Sequence, residues 1–170
     1  MMQKVAVIGA GSWGTALAML LAGRHEVWLW GRDAAEMAAM QRSRANTRYL
    51  PDHPFPESLI ATGDLESALT GAACVLMAVP SHGFRQVFRQ AVPLLPGNIP
   101  VVSAVKGIEF PSTRTMTQIM EEESAGRPLA LCVLSGPSFA EEVACGLPTA
   151  VTVACADKVQ AAREIGRAHV

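Results

Sequence analysis

Lys4-Val5-Ala6-Val7-Ile8-Gly9-Ala10-Gly11-Ser12-Trp13-Gly14 is the stretch that decides how this chain is read. Lys4 to Ile8 is a short apolar run rich in β-branched residues, and Gly9 ends it. Gly9, Gly11 and Gly14 match G-x-G-x-x-G, and Ala16, Leu17, Leu20 and Leu21 follow at helical spacing. A glycine-rich hexapeptide is weak evidence by itself. It becomes specific when it follows a buried strand, opens a helix, and is trailed by a second strand about a dozen residues later. The first glycine makes the tight turn, and the second lets a pyrophosphate approach the backbone. The third allows close helix–strand packing, while the helix N-terminus presents free N–H groups and a partial positive charge. A dinucleotide is the expected ligand; a tight strand–helix turn without one is the alternative.

The second strand, Val27-Trp28-Leu29-Trp30, closes at Gly31. An acidic residue at its end would hold the ribose 2′-OH of NAD, whereas an arginine accommodates the 2′-phosphate of NADP. Arg32 stands there, so NADP is favoured over NAD, with a solvated surface arginine as the alternative. Asp33 reads as the N-cap of the next helix, with Glu36 folding back in a capping box, and that helix runs to about Arg44.

Beyond it, Pro51, Pro54 and Pro56 mark Asn46 to Gly63 as a long extended connection. A short helix (Asp64 to Leu69) then leads to the strand Cys74 to Val79, with Ser81 as N-cap of a helix over His82 to Ala91. Strand Pro100 to Val105, helix Ser112 to Glu123, strand Leu129 to Leu134 and helix Ser138 to Cys145 repeat the pattern. A last apolar run, Ala150 to Cys155, precedes a short helix. Strands apolar on both faces and alternating with helices imply a parallel sheet covered on both sides. The expected fold class is therefore α/β, a doubly wound parallel sheet.

In such sheets ligands sit beyond the carboxyl ends of the strands. Lys106 follows an apolar strand directly, and Gly107 frees the backbone beside it; a cation there can orient a phosphate, a carbonyl or a nicotinamide edge. A solvated loop lysine is the alternative. Ser135-Gly136-Pro137-Ser138-Phe139-Ala140-Glu141 contains an S-x-x-E capping box and also suits an anion at a helix start. His82 is a first-turn helix residue without a catalytic role. His25, His53, His82 and His169 show no metal-ligand spacing, so no metal is expected. Glu121-Glu122-Glu123 reads as a solvated helix edge, and Met116, Ile119 and Met120 read as core. No Ser/His/Asp-type pair stands out.

Composition narrows the class. The chain has 170 residues, 50% hydrophobic and 17% charged, which excludes intrinsic disorder. Fourteen Lys+Arg against fifteen Asp+Glu leave a formal charge of −1, which gives no basis for a nucleic-acid or polybasic membrane partner. Ala16 to Ala22 is far shorter than the ~18–20 apolar residues a membrane span needs. Cys74, Cys132, Cys145 and Cys155 lack a C-x-x-C pair and read as buried, reduced thiols of a cytosolic protein.

Together these motifs resemble the bacterial NAD(P)-dependent glycerol-3-phosphate dehydrogenase family over residues 4–164. The resemblance rests on Val7 to Ala16, Leu29 to Asp33, Tyr49-Leu50-Pro51, Val79-Pro80-Ser81, Lys106 to Glu109 and Leu134 to Glu142. It implies a Rossmann-like domain in which Ser12, Trp13, Arg32 and Tyr49 contact the dinucleotide. Lys106 would touch both cofactor and substrate, Gly136 and Ser138 would bind glycerol 3-phosphate, and Ala140 would lie against the cofactor. The implied reaction is hydride transfer between NAD(P)H and dihydroxyacetone phosphate, supplying phospholipid synthesis in the cytoplasm, by a homodimer at full length. The family draws its proton-transfer lysine from a helical C-terminal domain, so no residue here is assigned catalysis and the chain alone is expected to be inactive. Residues 1–164 are expected to be the dinucleotide-binding domain, and 165–170, without a family counterpart, a non-native tail. Two competing readings are a related dehydrogenase acting on another hydroxy compound and a non-catalytic NADP(H)-sensing module.

Overall fold

Lys4–Ile8 forms the central strand β1 of the computed structural model, which describes residues 2–156. Parallel neighbours bond it on both sides: β2 (Glu26–Trp30) and β6 (Cys74–Met77). Successive strand side chains point to opposite faces, so Val5 and Val7 enter one apolar layer and Ala6 and Ile8 the other. The Val5/Val7 layer is roofed by α1 (Ser12–Ala22) and α2 (Ala34–Ser43). The Ala6/Ile8 layer is roofed by α3 (Leu65–Leu69), α4 (Ser81–Ala91) and α5 (Met116–Glu123). Met116, Ile119 and Met120 are buried there, as their spacing requires. Phe84 and Phe88 are fully buried and stacked at 5.9 Å between ring centroids, which anchors α4.

The remaining strands are β5 (Leu59–Thr62), β7 (Pro100–Ser103), β8 (Ala130–Ser135) and β9 (Thr152–Cys155), and the seven-stranded sheet runs β5-β2-β1-β6-β7-β8-β9. Counting its first six strands in chain order gives 3-2-1-4-5-6, the doubly wound arrangement. The order reverses between β1 and β6, and the crevice outside their carboxyl ends is where ligands bind in this architecture.

Several expectations are corrected. The last strand, β9, pairs antiparallel with β8, so the sheet is mostly rather than wholly parallel. The connection expected over Asn46 to Gly63 holds a small hairpin, β3 (Ala45–Asn46) with β4 (Leu50–Pro54), and then the edge strand β5 beside β2. Pro80 rather than Ser81 caps α4, without a side-chain bond. The helix expected from Ser112 begins at Met116, where Thr115 and Gln118 form a reciprocal capping box. Asp33 does cap α2, accepting from the amides of Ala35 and Glu36, but Glu36 turns outward to Arg48 at 3.5 Å. Cys74 and Cys132 are buried, whereas Cys145 is exposed and Cys155 intermediate. The short helix expected after Cys155, the domain end at 164 and the tail 165–170 lie outside the described residues.

Candidate functional site

The glycine loop joins β1 to α1 at the crevice, and each glycine has its own constraint. Gly9 has φ +123°, and a Cβ there would stand 2.7 Å from the carbonyl carbon of Ala78, just past β6. A Cβ on Gly14 would fall 1.8 Å from the carbonyl oxygen of Gly9, so α1 meets the loop backbone to backbone. Gly11, the N-cap of α1, has ordinary backbone angles and open space within 4 Å of a would-be Cβ. Among the described residues no side chain caps α1. An uncapped helix N-terminus with a bare, open approach at Gly11 is a cradle for an anion, and a dinucleotide pyrophosphate fits it.

Asn46, which no sequence motif marks, holds this loop. It is fully buried, and its Nδ2 donates to the carbonyl of Ala10 (3.0 Å) and to Thr15 Oγ1 (2.8 Å). Its Oδ1 accepts from the amide of Tyr49 at 3.2 Å. No local pattern marks an asparagine whose partners lie 31 and 36 residues away. Tyr49 is 43% exposed, with the Arg48 guanidinium 5.0 Å from its ring centroid. Arg32 is exposed at the end of β2, and among the described residues no carboxylate pairs with it.

Across the crevice the structure brings Lys106, Ser138 and Trp13 together. Lys106 Nζ donates to the Ser138 carbonyl at 3.1 Å and to its hydroxyl at 3.4 Å, and lies 5.8 Å from the Trp13 ring centroid. Trp13 Nε1 donates to the carbonyl of Ala104 at 3.0 Å, which fixes the indole against the end of β7. The capping box expected from Ser138 and Glu141 is absent. Phe139 is the N-cap of α6 (Ala140–Ala144) and supplies no side-chain bond, while Glu141 turns to His53. Ser138, nearly buried, donates its hydroxyl to the Gly136 carbonyl at 3.3 Å and accepts from Lys106, so that hydroxyl is committed elsewhere. Gly136 has φ +155°, and a Cβ on it would lie 2.6 Å from the carbonyl oxygen of Ala150. Ala140 packs beside Ala16, Leu50 and Val143.

The lysine turn is braced from behind. Arg85 on α4 forks onto Glu109, with Nε and Nη2 each 2.8 Å from a carboxylate oxygen, and its Nη1 reaches Glu122 and Glu123 at 2.8 Å. Arg89 adds a second fork to Glu123. Hydrogen bonds from Arg85 and Ser112 hold the Glu109 carboxyl down at about 2. Those from Arg89 and Arg85 hold Glu123 at about 2. The Glu122–Glu123 end of α5 is thus an ion-pair network rather than the solvated edge expected.

A glycine turn opening a helix at the strand-order reversal, faced by a lysine and a serine, defines the class: a Rossmann-like dinucleotide-binding domain. Within that class the chain belongs to the family described as NAD-dependent glycerol-3-phosphate dehydrogenase N-terminus, which matches residues 4–161. Nicotinamide dinucleotide is the cofactor that membership indicates. The chain is 51% identical over 169 residues to a glycerol-3-phosphate dehydrogenase [NAD(P)+] of Desulfotalea psychrophila, covering 95% of this chain and 50% of that protein. A Thioalkalivibrio sulfidiphilus protein of the same name is 52% identical over 151 residues, 88% of this chain and 45% of the relative. Among solved structures, glycerol-3-phosphate dehydrogenase from Coxiella burnetii superposes with a TM-score of 0.92 at 38% identity, covering 99% of this chain and 51% of that one. A UDP-glucose dehydrogenase from Pyrobaculum islandicum, at 16% identity and TM-score 0.71, shares the fold. The chain spans about half the length of the curated relatives it matches. Among the described residues no helix is long and apolar enough to cross a membrane.

Proposed function

We propose that this chain is the cofactor-binding part of an enzyme that moves hydride between NAD(P)H and dihydroxyacetone phosphate, giving sn-glycerol 3-phosphate for phospholipid synthesis. The observation that carries this reading is Lys106 standing between Trp13 and Ser138 across the crevice from the open glycine turn. When bound, the nicotinamide ring supplies or accepts the hydride. Gly9, Gly11, Ser12, Trp13 and Gly14 receive the pyrophosphate at the start of α1. Arg32, exposed and without a carboxylate partner among the described residues, meets a 2′-phosphate, which favours NADP over NAD. Tyr49 forms part of the same rim, and Ala140 lies against the cofactor.

Lys106, Gly136 and Ser138 take the substrate. The Lys106 ammonium, now spent on Ser138 oxygens, is positioned to hold a phosphate or the ketone oxygen. The proton that completes the reduction comes, in this reading, from a lysine in the part of the relatives beyond the matched half. Residues 1–164 then form one dinucleotide-binding domain of a cytoplasmic homodimer, with 165–170 outside it. The test joins this chain to the remaining half of the Desulfotalea psychrophila relative and follows NADPH or NADH oxidation with dihydroxyacetone phosphate. Turnover by the folded chimera is expected, and a folded chimera that binds the dinucleotide without turnover overturns the reading.

A further inference from the structure

The β3–β4 hairpin meets α6 at a group of side chains that the site above does not use. His53 Nε2, on β4, lies 2.8 Å from Glu141 Oε1 on α6. Cys145, at the C-terminal end of the same helix, completes the group: one ligand atom from each residue lies within 4.8 Å of the other two. Glu141 and Cys145 are four positions apart, so the helix presents both on one face. The third donor comes from 88 residues earlier in the chain, which is why sequence spacing showed no metal motif. We propose that His53, Glu141 and Cys145 form a three-ligand site for a divalent ion of the zinc class.

The donor set argues for that class. Imidazole nitrogen with thiolate sulfur suits zinc and its neighbours, whereas magnesium and calcium take oxygen ligands. Three protein ligands leave the fourth tetrahedral position to water. Metal–ligand bonds of about 2.0–2.3 Å place donor atoms roughly 3.5 Å apart, so His53 and Glu141 part by somewhat under an ångström while the wider gaps of the group, within 4.8 Å, close by about as much or a little more. Glu141, 64% exposed, and Cys145, exposed, have room to make that movement and leave the site open to an entering ion. Binding replaces the His53–Glu141 contact, and Cys145 loses its thiol proton to solvent as the sulfur coordinates. The ion would tie α6, which follows Ser138, to the hairpin whose Asn46 holds the glycine loop.

Cobalt(II) titration of the chain tests this, because a thiolate ligand gives a near-ultraviolet charge-transfer band that oxygen and nitrogen ligands do not. The expected result is that band at one equivalent of cobalt, displaced by zinc and not by magnesium. Cys145→Ser should abolish the band, and His53→Ala or Glu141→Gln should weaken binding at least about tenfold, with thermal melts showing the variants folded. Binding without the band, a band that survives in Cys145→Ser, equal affinity across the variants, or no cobalt bound would each overturn the proposal.

Discussion

Gly11 and Gly14 stand three positions apart and are glycine for different reasons. Alanine at Gly14 would drive a Cβ into the backbone of Gly9, where no side chain can move aside. Gly14→Ala should therefore cost about 3 kcal/mol, the upper part of the usual overpacking range, and show as a lowered melting temperature. Gly11→Ala meets no atom of the described residues within 4 Å, so its melting temperature should stay nearly unchanged, while NADH titration should show binding weakened several-fold. Arg32→Ala should weaken NADPH about tenfold, ~1.4 kcal/mol, and leave NADH nearly unchanged; equal losses measured in paired titrations would remove the 2′-phosphate role. The tight turn at Gly9 and Gly14 and the place of Lys106 just past β7 were legible because they are local to a turn. Asn46 was not, since its value lies wholly in bonds to Ala10 and Thr15 across the fold.

The elements that sequence patterning located well are those with a strong period or a cap of their own: β1, α1, β6 and the buried face of α5. β5 was hidden because the three prolines upstream made the whole tract look extended and unpaired, although Leu59–Thr62 pairs with β2. The orientation of β9 was also hidden, because an apolar run carries no direction. The α4–α5 ion pairs make a prediction that belongs to these two helices. Glu109 and Glu123 are held at about 2 against an ordinary value of 4.5, so the folded state favours their ionised form. Their contribution is complete above pH 4.5 and is lost as pH falls from there toward 2. Denaturant midpoints measured across that interval should fall steeply for the wild type, and the slope should flatten for Arg85→Gln, which removes the shared partner.

For the molecule as a whole, the sheet order places the glycine turn at the point where the winding reverses, and the lysine and serine turns follow along the same edge. That much was legible, because alternating buried strands and helices leave few ways to fold. How the two sides of the crevice touch was not. Tested by itself, the chain should bind NADPH and show no oxidation of it with dihydroxyacetone phosphate, since in the proposed function the proton-transfer lysine belongs to the part of the relatives beyond the matched half; sustained turnover by the purified chain would contradict this. The contact that joins the two sides has a practical consequence. Trp13 is tethered to Ala104 by its indole N–H and faces the Lys106 ammonium, whereas in β2 the Trp28 ring lies under Lys4 and the Trp30 indole N–H donates to the Gly63 carbonyl. The chain thus carries its own optical reporter: with Trp28 and Trp30 replaced by phenylalanine, the remaining emission would follow occupancy of the crevice, so a ligand that draws Lys106 away is seen by its light before any reaction is measured.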